Sequence, residues 1–415
     1  MTKNSHDCDV TIIGAGPSGS IAAGILRKKG YHVIVLEREH FPRFVIGESL
    51  LPQSMVFIEE AGMLDAVNAG GFQVKNGAFF HRDATTAFFD FREKFSPGPG
   101  TTYQVPRAQF DKLLADEASR AGADIRYGHS VTAMTPDTQS PSVTVQPGTG
   151  DSYTLHSRFV LDASGYGRVL PRLLDLELPS ELDPRKSVFT HVTDNALDNE
   201  WDREKIVIAV HPQNNQIWYW LIPFTQGRAS VGVVLPKTQA ESYTEDDPAL
   251  LQRMIGEEAF LKQLLRNAEF DTPVRTIEGY SCKVKALHGP GFALLGNAGE
   301  FLDPVFSSGV TIAMKSASLA THLLEKQFEN QPVNWERDYA KVLMLGVNTF
   351  RAYVNAWYTT EFQDVIFSQE KQRNDTDVKE KISAILAGYV WDRANSLANE
   401  SDRRLRALAE ICRNL

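Results

Sequence analysis

Asp9-Val10-Thr11-Ile12-Ile13-Gly14-Ala15-Gly16-Pro17-Ser18-Gly19 decides the fold, and His32-Val33-Ile34-Val35-Leu36-Glu37 completes the pattern. An apolar strand runs into a glycine turn. A small-residue helix follows over 17–29, and a second apolar strand ends in an acid. Gly14 permits the tight turn, Gly16 lets backbone approach a pyrophosphate, and Gly19 lets the helix lie close on the sheet. Pro17 and Ser18 open the helix, where free N–H groups and the dipole favour an anion. Glu37 stands where a carboxylate takes two ribose hydroxyls, with Arg38 next to it. A glycine turn alone also occurs in other α/β units. Strand, turn, helix and acid at these spacings together read as a dinucleotide site.

Outward from this unit, Pro42 and Gly47 make 38–51 a loop, and Pro52 starts a helix to about Gly62. Two β-prone runs, 73–80 and 86–91, precede the turn at 96–100. Arg107 heads a helix through Leu113, Leu114 and Ala118, whose spacing is near the helical period. Strand-like segments fill 124–160. Phe159-Val160-Leu161-Asp162-Ala163-Ser164-Gly165 is a further apolar strand that ends in an acid and a glycine turn. Residues 186–235 alternate with period two and read as an antiparallel sheet inserted into the nucleotide domain. Residues 292–304 return to that domain, a helix follows over 308–326, and 334–415 is helix-like. The expected division is 1–50, 104–175 and 285–330 for the nucleotide domain, 51–103 and 176–284 for the sheet domain, and 331–415 for a helical C-terminal region.

The 415 residues suffice for a large core. A net charge of −9 without a basic stripe argues against a nucleic-acid partner. Cys8, Cys282 and Cys412 have no metal-type spacing and fit a reducing cytoplasm. The polar start lacks a signal peptide, and no apolar run approaches bilayer-spanning length. No histidine has metal-ligand spacing; His191 and His211 read as strand residues. Ser164 lacks the context of a nucleophile elbow. Glu48 and Glu300 are candidate acids, though lone carboxylates are more often structural. Tyr353, Trp357 and Tyr358 either line a substrate mouth or pack a helix.

Four segments resemble the FAD-dependent monooxygenase superfamily of the p-hydroxybenzoate-hydroxylase type: the glycine turn with Glu37, the Arg107 helix, the strand end at Asp162 and Gly165, and Gly296-Asn297-Ala298-Gly299-Glu300-Phe301-Leu302-Asp303-Pro304. The last is similar to that family's Gly-Asp motif, with Asn297 in place of the acid. An amide still bonds a ribityl hydroxyl. Asp303-Pro304 is expected to set a helix N-terminus near the flavin pyrimidine. Trp218-Tyr219-Trp220-Leu221-Ile222-Pro223 resembles the WxWxIP motif of flavin-dependent halogenases, and Gly388-Tyr389-Val390-Trp391-Asp392 looks like that family's phenol-acting or free-standing branch. Period two places Trp218, Trp220 and Ile222 on one face; two core tryptophans are the plainer reading. The loop 47–52 and the segment Phe306-Ser307-Ser308-Gly309-Val310 resemble the same family.

The resemblance implies a Rossmann-like FAD domain and FADH2 delivered by a separate reductase. It implies oxidation of chloride or bromide bound near Ser308 and Gly309, and a lysine that handles the resulting electrophile. Lys75 lies where the resemblance places that lysine; otherwise it is a surface residue of a strand. Arg107 contacts the flavin by resemblance, or else pairs with Asp111 four residues on. Phe306 replaces the glutamate that orients indole in tryptophan-acting relatives. A phenol or other electron-rich aromatic is therefore expected, free or tethered to a carrier protein. The competing functions are a flavin hydroxylase, a reductase of the geranylgeranyl-reductase type, and a flavoprotein without turnover.

Overall fold

The computed structural model describes residues 6–196, 201–368 and 376–414. The first and last stretches of the expected 1–50 and 331–415 segments lie partly outside these residues. The strand Cys8–Ile13 sits between two parallel neighbours, Val33–Glu37 and Tyr153–Asp162. Their near-continuous apolar runs are those of strands covered on both faces. Phe292–Leu294 extends the sheet beyond Tyr153–Asp162, and Asp124–Tyr127 closes the other side. The helix Pro17–Lys28 packs against both Arg107–Arg120 and Ser308–Phe328. The parallel strands therefore end together. Their carboxyl ends bring the glycine turn, Glu37, the 163–167 turn and Gly296–Ala298 to one edge, where open α/β sheets bind ligands.

A seven-stranded sheet runs in the order Arg275–Glu278, Arg185–Thr193, Arg228–Pro236, Asn214–Pro223, Lys205–His211, Gly77–Arg82, Thr85–Asp90. It is antiparallel except where Lys205–His211 pairs in parallel with Gly77–Arg82. The chain leaves after Asp90, crosses the first sheet and re-enters at Arg185, so the parallel pair joins two separate visits. One face packs Tyr219, Leu221, Val231 and Val233 against helices Asp247–Glu257 and Ala259–Leu264. The opposite face carries Trp218, Trp220 and Ile222 into the main core. The period-two expectation for these residues matches the observed register.

The helices over 237–264 are absent from the sequence expectations. Asp246 caps the longest of them through Ala249 N–H at 3.0 Å. Beyond Ser308–Phe328 the chain is helical, as expected, in Lys341–Tyr358, Glu361–Ser368, Thr376–Leu386 and Ser401–Arg413. Among the described residues no helix is long and apolar enough to cross a membrane.

Candidate active site

A cavity of about 590 Å3 lies between the carboxyl ends of the parallel strands and the tryptophan-bearing face of the second sheet. Of the expected site residues, Gly14, Gly16, Pro17, Ser18, Glu37, Arg38, Arg107, Gly165, Asn297, Gly309, Trp218 and Trp220 line it. Gly19, Lys75, Asp162, Asp303 and Ser308 stand outside the wall.

The nucleotide end is built by close approach. Gly14 has φ +98°, and a Cβ there would meet the Ala163 carbonyl oxygen at 2.6 Å. A Cβ at Gly19 would strike the Gly14 carbonyl, so Gly19 holds helix to turn without facing the cavity. A Cβ added at Gly16 would meet only the Arg43 guanidinium, at 3.6 Å. Glu37 accepts Ala15 N–H at 2.9 Å and Glu39 N–H at 3.0 Å. Each oxygen keeps a lone pair for a ribose hydroxyl. Arg38 is largely exposed beside Glu39. The Asn297 side-chain oxygen is buried without a protein partner, which is the orphaned acceptor that a polyol chain would satisfy. The donor set and the open space before Gly16 fit FAD.

Three of the expected cofactor residues have partners within the protein. The Asp162 carboxylate accepts the backbone N–H groups of Ser164 at 2.9 Å and Leu170 at 2.7 Å, and so shapes the turn that forms the wall. Asp303 caps Pro304–Phe306 through Val305 N–H at 3.0 Å and accepts the Tyr358 hydroxyl at 2.9 Å. Its neighbours Pro304 and Ser307 form the wall instead. Burial pushes the Asp303 carboxyl up to about 6, with Arg185 opposing. Arg107 forms a two-pronged pair with Asp111, at 2.6 and 2.9 Å, while a third nitrogen donates to the Ile46 and Gly47 carbonyls. It pins the 38–51 loop from within the wall.

At the sheet end Trp218 and Trp220 are buried with ring centroids 5.9 Å apart. Trp218 donates to the Tyr358 hydroxyl at 2.9 Å, and Trp220 to Ser230 at 3.1 Å. Phe306 is buried against Trp357 and Phe362, so no carboxylate stands in its place. Ser307, in the left-handed region at φ 55°, starts the helix Ser308–Phe328. Ser308 is buried in the first turn and Gly309 faces the cavity.

Lys75 is buried, not a surface residue. Its ammonium donates to the Leu50 carbonyl at 2.8 Å and lies 5.5 Å from the Phe91 ring centroid. Burial pushes it down to about 7. Leu50 follows Ser49 of the wall, so Lys75 stands one layer behind the cavity.

Glu300 pairs with Arg351 at 2.9 Å, and burial holds its carboxyl above the usual range. His211 bonds Glu257 at 3.0 Å. Tyr353 and Trp357 are fully buried helix packing, and Trp391 lies over Gly346. Sequence reasoning missed Arg43, Phe189, Ile206 and Ile277 in the wall. Phe189 shares a face with Ser187 and His191 in the strand Arg185–Thr193, a period-two signal that points to the tryptophan face once the sheet register is known.

The FAD binding domain family matches residues 7–282. The structure of a flavoprotein/dehydrogenase from Cytophaga hutchinsonii is 42% identical, with TM-score 0.93 and 98% of each chain covered. The flavin-dependent brominase Bmp2 is 26% identical, with TM-score 0.83, covering 98% of this chain and 100% of its own. A 1H-pyrrole-2-carbonyl-peptidyl-carrier-protein chlorinase of Pseudomonas fluorescens is 29% identical over 88% of this chain and 87% of its own length. The dinucleotide turn, the cavity wall joining it to the tryptophan face and these likenesses lead to one conclusion: the chain belongs to the FAD binding domain family, as an FAD-dependent oxidoreductase similar to flavin-dependent halogenases.

Proposed function

We propose that this protein halogenates a small, electron-rich aromatic of phenol type, using FADH2 from a separate reductase, O2 and chloride or bromide. The observation that carries the reading is the continuous cavity from the glycine turn to Trp218 and Trp220, with Gly309 at a helix start between them. Bound reduced FAD supplies the oxygen activation that makes halide electrophilic. The residues of this chain do the rest. N–H groups of the 14–19 turn hold the pyrophosphate, Glu37 the ribose, and Asn297 a ribityl hydroxyl. N–H groups at Ser308 and Gly309 hold the halide. Trp218, Trp220 and Phe189 exclude water and seat an aromatic ring. Lys75 loses its proton near neutrality, which suits an amine that donates to, or is halogenated by, the electrophile. Reaching it requires passage past Leu50.

Phe306 in an apolar cluster favours a phenol over an indole held by a carboxylate. Carrier-bound pyrrole is the substrate that the chlorinase's name gives, and tethered delivery is proposed here beside free substrate. Cys8 and Cys282 are buried free thiols, which suits the cytoplasm as the working compartment. A dehydrogenase is the second reading, favoured by the name of the Cytophaga flavoprotein.

A single turnover decides. FADH2-loaded protein is mixed with O2 and a phenol panel, with and without bromide, and products are weighed by mass spectrometry. The expected product carries the bromine isotope pair. One added oxygen, unaffected by bromide, makes the protein a hydroxylase; substrate hydrogenation without O2 makes it a reductase. Lys75→Ala is expected to lower halogenation at least about 100-fold, the scale of a lost general acid or base, while FAD binding and peroxide release persist. Halogenation retained in that variant removes Lys75 from the chemistry.

A further inference from the structure

The cavity-facing side of the seven-stranded sheet ends, at its outer strand, in a charge. Register pairs Trp220 with Gly232, Gly232 with Phe189, and Phe189 with Arg275. Residues directly opposite share a face, so Arg275 stands in one row with the tryptophan wall. The row spans three strand spacings, about 14 Å. Arg275, Phe189 and Trp220 all line the cavity, and so does Phe44 of the loop that Arg107 pins. The Phe44 ring stacks on Phe189 at 6.2 Å between centroids, and Phe189 lies 5.7 Å from Trp220. The Arg275 guanidinium sits over the Phe44 ring, 4.2 Å from its centre. An aromatic path thus leads from Trp220 to a cation.

That cation is uncompensated. Arg275 is exposed, and among the described residues it has no hydrogen-bond or ion-pair partner. The acids that could neutralise it are held by other groups. Asp271 pairs with Arg228, and Glu278 stands 3.8 Å from Lys186 and 3.6 Å from Lys237. Glu48 of the wall lies 2.6 Å from Nε2 of His191. The other wall arginines are paired: Arg43 and Arg107 with Asp111, Arg38 with Glu39. A ring against a guanidinium engages its flat face and leaves the N–H edges free. Those edges are a planar fork of donors that matches two oxygens of a carboxylate or phosphate. The Phe44 contact also holds the fork in place before anything binds.

We infer that Arg275 is a specificity-determining residue, which takes an oxyanion carried by the aromatic substrate. The substrate ring lies on Trp220 and Phe189, and its charged end crosses Phe44 to the guanidinium. This deepens the aromatic-substrate reading and rests on it. The substrate class is then an aromatic ring with a carboxylate or phosphate on an arm, in place of a neutral phenol. A carboxylate belongs to a free aromatic acid, and a phosphate to the arm of a carrier.

The test reads binding to FAD-loaded protein by isothermal titration calorimetry. Three probes share one ring: 3-(4-hydroxyphenyl)propanoate, its amide, and 3-(4-hydroxyphenyl)propyl phosphate. An anionic probe is expected to bind at least about tenfold more tightly than the amide, the scale of one charge-assisted hydrogen bond, and to weaken as salt is raised. That preference is expected to vanish in Arg275→Gln and to shrink in Arg275→Lys, which keeps the charge but loses the fork. Each variant is checked for fold by FAD titration. Tighter binding of the carboxylate names a free acid, and tighter binding of the phosphate names a carrier arm; both uphold the assignment. Equal binding of all three probes, binding of none, or a preference that survives Arg275→Gln overturns it. Neither halide nor turnover enters this readout. A preference that depends on Arg275, with no bromide incorporated in turnover, leaves the anion seat in place and removes the halogenase reading. Bromination of a phenol without any anion preference does the reverse.

Discussion

Asp303 and Lys75 illustrate how burial sets chemistry one side chain at a time. Burial raises the Asp303 carboxyl from 3.8 to about 6, against the pull of Arg185. The native chain then binds this proton more tightly than the unfolded chain between those values. The stability it contributes is full below about 3.8 and is lost as pH rises through about 6. Asp303→Asn is expected to flatten that part of the profile, so melting temperatures of wild type and variant should converge at low pH and separate toward neutrality. Parallel curves across the whole range count against the assignment. Lys75 moves the opposite way, toward the neutral amine. Its burial was not legible in sequence, because a three-residue strand has too few alternations to name a face. The pairing of Glu48 with His191 was illegible for another reason: 143 residues separate them, and only the sheet register joins them. Arg107 with Asp111 was legible, being a four-residue helical spacing.

At the scale of elements, the tryptophan strand shows what period two can and cannot foretell. Alternation alone places Trp218, Trp220 and Ile222 on one face. It says nothing of the neighbour beneath, where the Trp220 ring lies directly over Gly232 of the adjoining strand. Gly232→Ala puts a methyl group into that ring. A loss of about 1–3 kcal/mol is expected by denaturant titration, as for other overpacked cores, with a changed near-ultraviolet circular dichroism from the displaced indole. An unchanged stability contradicts the close approach. The strand, turn and helix of the first unit were readable because each rests on local chemistry. The helix Asp247–Glu257 carries a local start signal, the Asp246 cap with Pro248 in the first turn, that the sequence reading passed over, and the parallel pairing of Lys205–His211 with Gly77–Arg82 escaped because it joins segments far apart in the chain.

Across the whole molecule, the cavity wall is shared by the two sheets. FAD bound to it holds both, so cofactor should stabilise the chain as one cooperative unit: about 2.7 kcal/mol at a hundredfold excess over its Kd, with one melting transition that moves as FAD is added. Two transitions, of which FAD moves only one, contradict this. That the C-terminal segment is helical was clear from its periodicity; where it docks was not, because docking is decided by partners on other elements. Gln216 donates to the Tyr358 carbonyl, and Gln363 to the Asn215 carbonyl at 2.9 Å. Through the Tyr358 hydroxyl, Trp218 of the sheet is joined to Asp303 ahead of the long helix. This chain of bonds has a practical consequence for anyone wishing to trim the protein. A version cut before the Lys341–Tyr358 helix keeps every glycine of the nucleotide fingerprint. It also leaves the Trp218 indole N–H without its acceptor and the buried Asp303 carboxylate without one of its donors. The C-terminal helices are thus a built-in part of the catalytic half, and a minimal flavin-binding fragment of this chain has to include them.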